Sequence, residues 1–384
     1  MAEKIEYCVV GAGVVGSSAA YLLAREGKSV ALLEQFEFAH DRGSSHGESR
    51  ITRYAYDHPL YVRMAKRGFP LWSEIIAESG EELYIQTGGI DLDEIGGKGI
   101  RDCRSSLDAE NISYELLDRA EIKKRFPQFE LPNNYEGLYQ ADAGILNASL
   151  CVKTLQTLAR KNGGHLADKA AVIKIEAEGD EFAITTKTQK LIAKKLLLCA
   201  GSWMGPVLHG WGVDLPLTVT QEQWAFFEAK DSAAFMPNKF PIFIEHGGEG
   251  SGGIGWYGFP IFGRNGVKSA FHQTGKVTTA DTRDFEVDEK QLHELHERMQ
   301  KFLPDASTNI IHAGTCLYTN SPDTHFVIDR IPDHNNAVFF TGCSGHAFKF
   351  GPVIAELLIQ LVDRKQPTVD LKMFSARRFS AIKV

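Results

Sequence analysis

Apolar positions follow two different periods along the chain. Residues 6–10 and 29–33 are short, almost unbroken apolar runs of the kind buried in a parallel sheet, and residues 14–25 between them repeat with the helical period. Strand, helix and strand in that order predict a βαβ unit at the start of the chain. Further on, helical patterns at 71–79 and 99–107 sit among short strands, and another helix is expected at 146–162. Alternating strands at 171–176 and 182–186 lead to a buried run at 194–199. From 217 to 275 the pattern is β-rich and aromatic, broken by a glycine cluster at 247–255. A helix at 288–302, a strand at 337–341, a loop at 342–351 and a helix at 352–361 complete the reading. There is no internal repeat and no Pro/Ser-rich linker, so interleaved domains are expected rather than one clean division.

The first strand and helix meet at Gly11-Ala12-Gly13-Val14-Val15-Gly16, a GxGxxG loop in the context that gives it meaning. Gly11 permits the tight turn, Gly13 lets backbone approach a pyrophosphate, and Gly16 allows close helix-to-strand packing. The helix start offers free N–H groups to phosphate. Glu34 closes the second strand, about 20 residues beyond the glycines, where a carboxylate can accept ribose hydroxyls and would repel a 2′-phosphate. This loop alone leaves NAD and FAD both open. The strand ending in Ala200-Gly201-Ser202-Trp203 could likewise bring backbone to a cofactor or be an ordinary turn.

Composition narrows the classes. A chain of 384 residues with 43% hydrophobic and 24% charged residues is long enough for two domains and too ordinary for disorder or a coiled coil. The net charge of −7 gives no basic face for nucleic acid or anionic lipid. Cys8, Cys103, Cys151, Cys199, Cys316 and Cys343 form no CxxC pair, which favours a reducing, intracellular home. The 13 histidines form no HExxH pattern, so no metal is expected. Every apolar run is broken short of the ~18–20 residues of a membrane span. The final residues, Ile382-Lys383-Val384, differ from the Ser-Lys-Leu peroxisomal address. A soluble protein is expected, cytoplasmic or alternatively peroxisomal.

Four separated motifs carry a family resemblance over essentially the whole chain. They are the Gly11–Gly16 loop, Gly43-Ser44-Ser45-His46-Gly47-Glu48-Ser49-Arg50-Ile51-Thr52-Arg53, Cys316-Leu317-Tyr318-Thr319-Asn320-Ser321-Pro322-Asp323, and Gly342-Cys343-Ser344-Gly345-His346-Ala347-Phe348-Lys349. Together they resemble the monomeric sarcosine oxidase, N-methyltryptophan oxidase and peroxisomal sarcosine (pipecolate) oxidase family of FAD-dependent amine oxidases. The resemblance implies an α/β fold: a Rossmann-like FAD-binding domain of the glutathione-reductase or D-amino-acid-oxidase type at 1–85, 146–218 and 312–384, and a mixed β-sheet substrate domain at 86–145 and 219–311. It implies oxidation of a secondary amino acid to an imine, with O2 reduced to hydrogen peroxide, by a monomer.

Residue by residue, the resemblance makes Cys316 the covalent attachment point of the flavin; read alone, a thiol near a strand favours a buried inert cysteine. Arg53 and Lys349 match the substrate carboxylate clamp, Lys268 the oxygen-activating lysine, and His272, Tyr257 and Tyr318 the cavity lining. His46 and Arg50 match residues close to the flavin. Gly342, Ser344, Gly345, His346 and Lys349 form the flavin loop, with Val14, Val15, Gln35, Ser44, Ser45, Val172, Ala200, Gly201 and Trp203 as further cofactor contacts. On their own spacing, Arg50 and Arg53 would share a face of a helical turn. Lys268 and His272 would share a face of a strand. His246 and His325 are unassigned, and the glycines at 247–255 read as a flexible hairpin tip or, folded over the cavity, as a segment that reshapes substrate choice or gates access. Two rival readings stand beside this one, a dehydrogenase passing electrons to a protein acceptor and a non-catalytic nucleotide-binding redox sensor; Lys268 favours the oxidase.

Overall fold

The strand Glu3–Val10, buried over its last four residues, leads through the glycine loop into helix Val14–Arg25 and strand Val30–Leu33, so the expected βαβ unit is present. The two strands run parallel, with Val9 opposite Leu32 and Val10 opposite Leu33. On the other side of Glu3–Val10 lies Lys190–Leu198, also parallel, and the last three residues of that strand pair in parallel with His334–Thr341. These strands are the middle of an eight-stranded sheet completed by His165–Ala167, the hairpin Val172–Glu178 with Glu181–Thr186, and Val327–Ile331. Helices Val14–Arg25, Ala148–Lys161 and Gly351–Val362 pack together against it through Ala19, Leu23, Leu155, Val353 and Leu357. The computed structural model describes residues 3–248 and 253–379; the C-terminal tripeptide and the tip of the glycine cluster lie outside the described residues.

A second, nine-stranded sheet takes most of its strands from the aromatic middle of the chain. Its order is Lys276–Thr278, Thr218–Phe227, Val267–Phe271, Trp256–Phe259, Ile242–Glu245, Gly89–Glu94, Tyr135–Gln140 and Glu115–Asp118, with Ile310–Asn320 on the other side of Thr218–Phe227. Ile242–Glu245 runs parallel to Gly89–Glu94, so the sheet is mixed. Phe129, Phe240, Phe243, Trp256 and Phe302 fill its core. Helix Glu289–Phe302 covers it with Leu292, Leu295, Met299 and Phe302, a helical stripe of apolar residues. Strand Ile310–Asn320 crosses residue 312, the expected boundary, and pairs in this second sheet.

Two local expectations are corrected. Arg50–Thr52 is a strand, paired antiparallel with Gly144–Leu146, so Arg50 and Arg53 are not on a helical turn. The helix expected from residue 71 instead spans Pro59–Ser79 and runs through Pro70. His58 caps its start by accepting from the Leu60 N–H at 3.1 Å, and burial of Leu60, Met64, Leu71, Trp72 and Ile75 along one face offsets the ~3 kcal/mol that an internal proline costs. Among the described residues no helix is long and apolar enough to cross a membrane.

Candidate active site

A single cavity of about 730 Å3 begins at the glycine loop and ends between the two sheets. At its first end Gly11, Gly13, Val14 and Val15 form the wall, and Gly13 caps the helix without a side chain. Gly11 takes a φ of +98°, open to glycine and few other residues. A Cβ on Gly16 would run into the Gly11 carbonyl oxygen; Gly16 is therefore a packing residue beneath the loop and not part of the wall. Glu34 lines the cavity and is nine-tenths or more buried; it accepts from the Ala12 N–H at 2.9 Å and the Phe36 N–H at 3.0 Å, and lies 3.4 Å from His40 Nε2. Burial would raise its pKa, but His40 and these N–H groups outweigh burial and keep it below the usual carboxylate range. Gln35, Ala200, Gly201 and Trp203 complete this end.

Ser44, Ser45, His46, Arg50 and Cys316 line the cavity too, and Ser44 Oγ donates to the Leu317 carbonyl next to Cys316. The Arg50 guanidinium donates to the carbonyl oxygens of Ser44, His46 and Ser49 at 2.9, 2.8 and 2.8 Å, so one side chain fixes the whole turn. Ser45 Oγ accepts from the Val14 N–H at 3.1 Å and ties that turn to the glycine loop's helix. Burial, with Arg50 and Arg283 adding to it, drives His46 down to about 3, and its buried Nε2 has no hydrogen-bond partner among the described residues. Cys316 is buried, directly opposite Glu222 in the second sheet; burial pushes its thiol up, against the pull of Arg50.

Arg53, Lys349, Lys268, His272, Tyr257 and Tyr318 all line the cavity as well. Lys349 Nζ donates to Tyr56 Oη at 2.7 Å and to the His346 carbonyl at 3.0 Å. Burial, then Arg53 and Arg50, hold it well below the ordinary lysine value. Lys268 is enclosed by Trp224, Phe226 and Phe259, whose ring centroids lie 5.3, 5.8 and 5.5 Å from Nζ, and it donates to Ser49 Oγ at 3.4 Å. Burial, with Arg50 adding to it, lowers Lys268 to about 7. His272 is lowered to about 4 by burial, Lys349 and Arg53, so it is neutral at pH 7. Lys268 and His272 both face the cavity, as strand spacing predicts, although His272 lies one residue past the end of Val267–Phe271.

Four of the expected cofactor residues stand back from the cavity wall: Gly16, Val172, Gly342 and Ser344. Val172 starts a strand opposite Thr186 at the sheet margin. Ser344 is fully buried, with its N–H on the Thr319 carbonyl at 3.0 Å and its Oγ on the Gly342 carbonyl at 3.2 Å, so these two shape the loop that presents Gly345 and His346.

Sequence reasoning missed a second group, around Arg53. Asp91 Oδ1 accepts from Arg53 Nη1 and pairs with His246 Nε2 at 2.7 Å, and the donor atoms of Asp91, Cys103 and His246 lie within 4.8 Å of one another. These are metal-ligand residue types, but Asp91 is already shared between a guanidinium and an imidazole, and a metal cation would have to displace Arg53. Nothing local signals the group, since Arg53, Asp91, Cys103 and His246 come from four distant segments. Tyr56 and Tyr61, packed with His346 and His325, were missed for the same reason.

The model of the family described as DAO, FAD dependent oxidoreductase, matches residues 6–361. The chain is 32% identical to monomeric sarcosine oxidase of Bacillus sp. (strain NS-129) over 98% of each chain. It is 31% identical to N-methyl-L-tryptophan oxidase of Salmonella arizonae, over 98% of this chain and all of that one, and 31% identical to human peroxisomal sarcosine oxidase, over 97% and 96%. Among solved structures, NikD, an unusual amino acid oxidase essential for nikkomycin biosynthesis, superposes in its open form with a TM-score of 0.83 at 23% identity over 97% of both chains. L-proline dehydrogenase from P. horikoshii does so at 0.85 and 20% identity over 99% of both. A glycine loop that opens the chain, a cavity joining it to two buried lysines and an arginine, and relatives aligned end to end place this chain in the FAD dependent oxidoreductase family, among the monomeric sarcosine and N-methyltryptophan oxidases.

Proposed function

We propose that the protein oxidises a secondary amino acid, sarcosine, another N-methyl amino acid or L-pipecolate, to the imine, with O2 reduced to hydrogen peroxide. Sarcosine, O2 and water would give glycine, formaldehyde and hydrogen peroxide. The observation that carries this is the continuity of the cavity from the Gly11–Gly16 loop, past Cys316, to Arg53, Lys349 and Lys268. The residues fit FAD: Gly11, Gly13, Val14 and Val15 form the cavity wall at a helix start, Glu34 is placed for a ribose, and the buried His46 Nε2 has no partner among the described residues. FAD, when bound, supplies the acceptor for the two electrons of amine oxidation.

The protein's own residues do the rest. Arg53 binds and orients the substrate carboxylate together with Lys349, which fixes the amine relative to the cofactor. Neighbouring positive charge and the neutral His272 favour the unprotonated amine. Tyr257 and Tyr318 exclude water, and Lys268 offers positive charge to oxygen as it is reduced. Cys316 holds the cofactor covalently. The cofactor part is 1–85, 146–218 and 312–384, with the strand Ile310–Asn320 contributed to the substrate sheet at 86–145 and 219–311. The protein acts as a monomer.

The test is to denature the purified yellow protein, map any retained flavin, and screen N-alkyl amino acids for flavin bleaching and peroxide. Flavin retained at Cys316 and peroxide with sarcosine or pipecolate are expected. Flavin released on denaturation overturns the covalent link. Bleaching without peroxide assigns a dehydrogenase, and no bleaching with any N-alkyl amino acid removes the catalytic reading.

A further inference from the structure

We propose that His246 is a positioning residue for substrate recognition, acting through Asp91 to hold Arg53 in place and to preserve its attraction for a carboxylate. The inference rests on the clamp role proposed for Arg53, and it follows from charge and geometry around that residue.

Arg53 follows the short strand Arg50–Thr52, whereas Asp91 lies in Gly89–Glu94 of the nine-stranded sheet. The two meet as a buried ion pair. Among the described residues, Asp91 is the one carboxylate bonded to that guanidinium, and it occupies Nη1. Arg53 also lines the cavity, which is where a substrate carboxylate would meet it. An Arg–Asp pair on its own has no net charge, so it would attract a carboxylate poorly. Burial disfavours the ammonium form of Lys349, which weakens its share of the attraction before an anion binds.

His246 changes that balance. Its backbone N–H is pinned to the Leu92 carbonyl at 3.0 Å, and Ile244 lies opposite Asp91 in the parallel pair, so the imidazole is delivered to Asp91 by the register of the sheet. His246 Nε2 then shares Asp91 Oδ1 with Arg53. Burial alone would keep the ring neutral, but Asp91 and then Cys103 outweigh burial and lift it to about 10. Two cations on one carboxylate leave the group with a net positive charge and divide the pull of Asp91 between them. Arg53 therefore stays anchored without being fully neutralised.

The test uses holoenzyme. His246→Phe keeps a ring but removes the donor, and His246→Gln keeps a neutral donor. Two quantities are read: KM and kcat with the best N-alkyl amino acid, and the Kd of acetate from its perturbation of the flavin spectrum. In His246→Phe both KM and the acetate Kd should rise about tenfold with kcat within about twofold, and His246→Gln should fall between. In an Asp91→Asn background, adding His246→Phe should change the acetate Kd by less than about twofold, since the effect passes through Asp91. Unchanged KM and Kd in His246→Phe, a parallel fall in kcat, or full additivity with Asp91→Asn overturns the proposal. Should His246→Phe not retain flavin, His246→Gln carries the same comparison. The acetate arm also separates the two readings: absence of turnover in the wild type removes the proposed reaction, while acetate binding still reports on His246.

Discussion

Lys268 and Lys349 are both buried and, among the described residues, have no carboxylate partner at hydrogen-bond distance, which is costly for a charge and useful where an anion arrives from outside. For Lys268 the expected consequence is kinetic. Lys268→Met should leave anaerobic flavin reduction intact and slow reoxidation by O2 by ~10²–10³-fold, measured by stopped flow. Because burial holds Lys268 near 7, its positive charge is lost as pH rises through that value. Reoxidation should therefore slow with rising pH in the wild type and be flat in Lys268→Met. For Lys349 the consequence is a proton. A bound carboxylate raises the pKa of an ammonium beside it, so binding of acetate above the free site's value should take up a proton from a weak buffer. An indicator dye reads the uptake, and Lys349→Met should abolish it. At this scale the sequence is legible where residues lie in one motif: Ser44, Ser45, His46, Ser49, Arg50 and Arg53, and likewise Gly345 to Lys349, line the cavity. It is silent about Asp91, because an acidic residue alternating with Ile90 and Leu92 reads as the solvent face of a strand, yet Asp91 and Asp93 are both buried.

Elements are set by contacts that a local pattern only partly records. Proline at position 70 reads as a helix start, but the helix begins at Pro59 because its apolar face has somewhere to pack, and Trp72 Nε1 donates to the Lys349 carbonyl at 2.8 Å. That bond links the helix to the loop carrying Lys349. The helix Val14–Arg25 depends in a similar way on one close approach. Gly16→Ala puts a methyl group against the Gly11 carbonyl oxygen, so the helix must move off the strand. A loss of about 1–3 kcal/mol in urea unfolding is expected, accompanied by weaker flavin retention in dialysis. A stability unchanged within error would show that the loop accommodates the methyl group. Legibility at this level was good for helices with caps and regular stripes, such as Glu289–Phe302 behind Asp288, and poor for three-residue strands such as Arg50–Thr52. So short a strand has no period to detect and exists through its partner, Gly144–Leu146.

Across the whole molecule the cavity is a seam between two sheets, each assembled from distant parts of the chain. The nucleotide end belongs to the eight-stranded sheet, while Cys316 and Lys268 belong to the nine-stranded one. A ligand spanning the seam stabilises both at once. In Cys316→Ser the thermal midpoint should become dependent on added FAD, with ~2.7 kcal/mol gained at a hundredfold excess over Kd, whereas the wild type should be insensitive to it. Interleaving was anticipated from the lack of a linker, but the placement of Ile310–Asn320 was not, because a strand's sequence does not say which of two sheets it will join.

The location of Cys316 also bears on what happens after unfolding. With the cofactor attached there, its adenine end travels with the chain instead of diffusing away. The glycine loop then meets a ligand whose effective concentration is set by tether length, in the millimolar range for a flexible linker, and not by dilution. Refolding of such a protein draws on a store it carries itself, so the yield of yellow, folded enzyme should stay constant across dilutions that leave Cys316→Ser colourless.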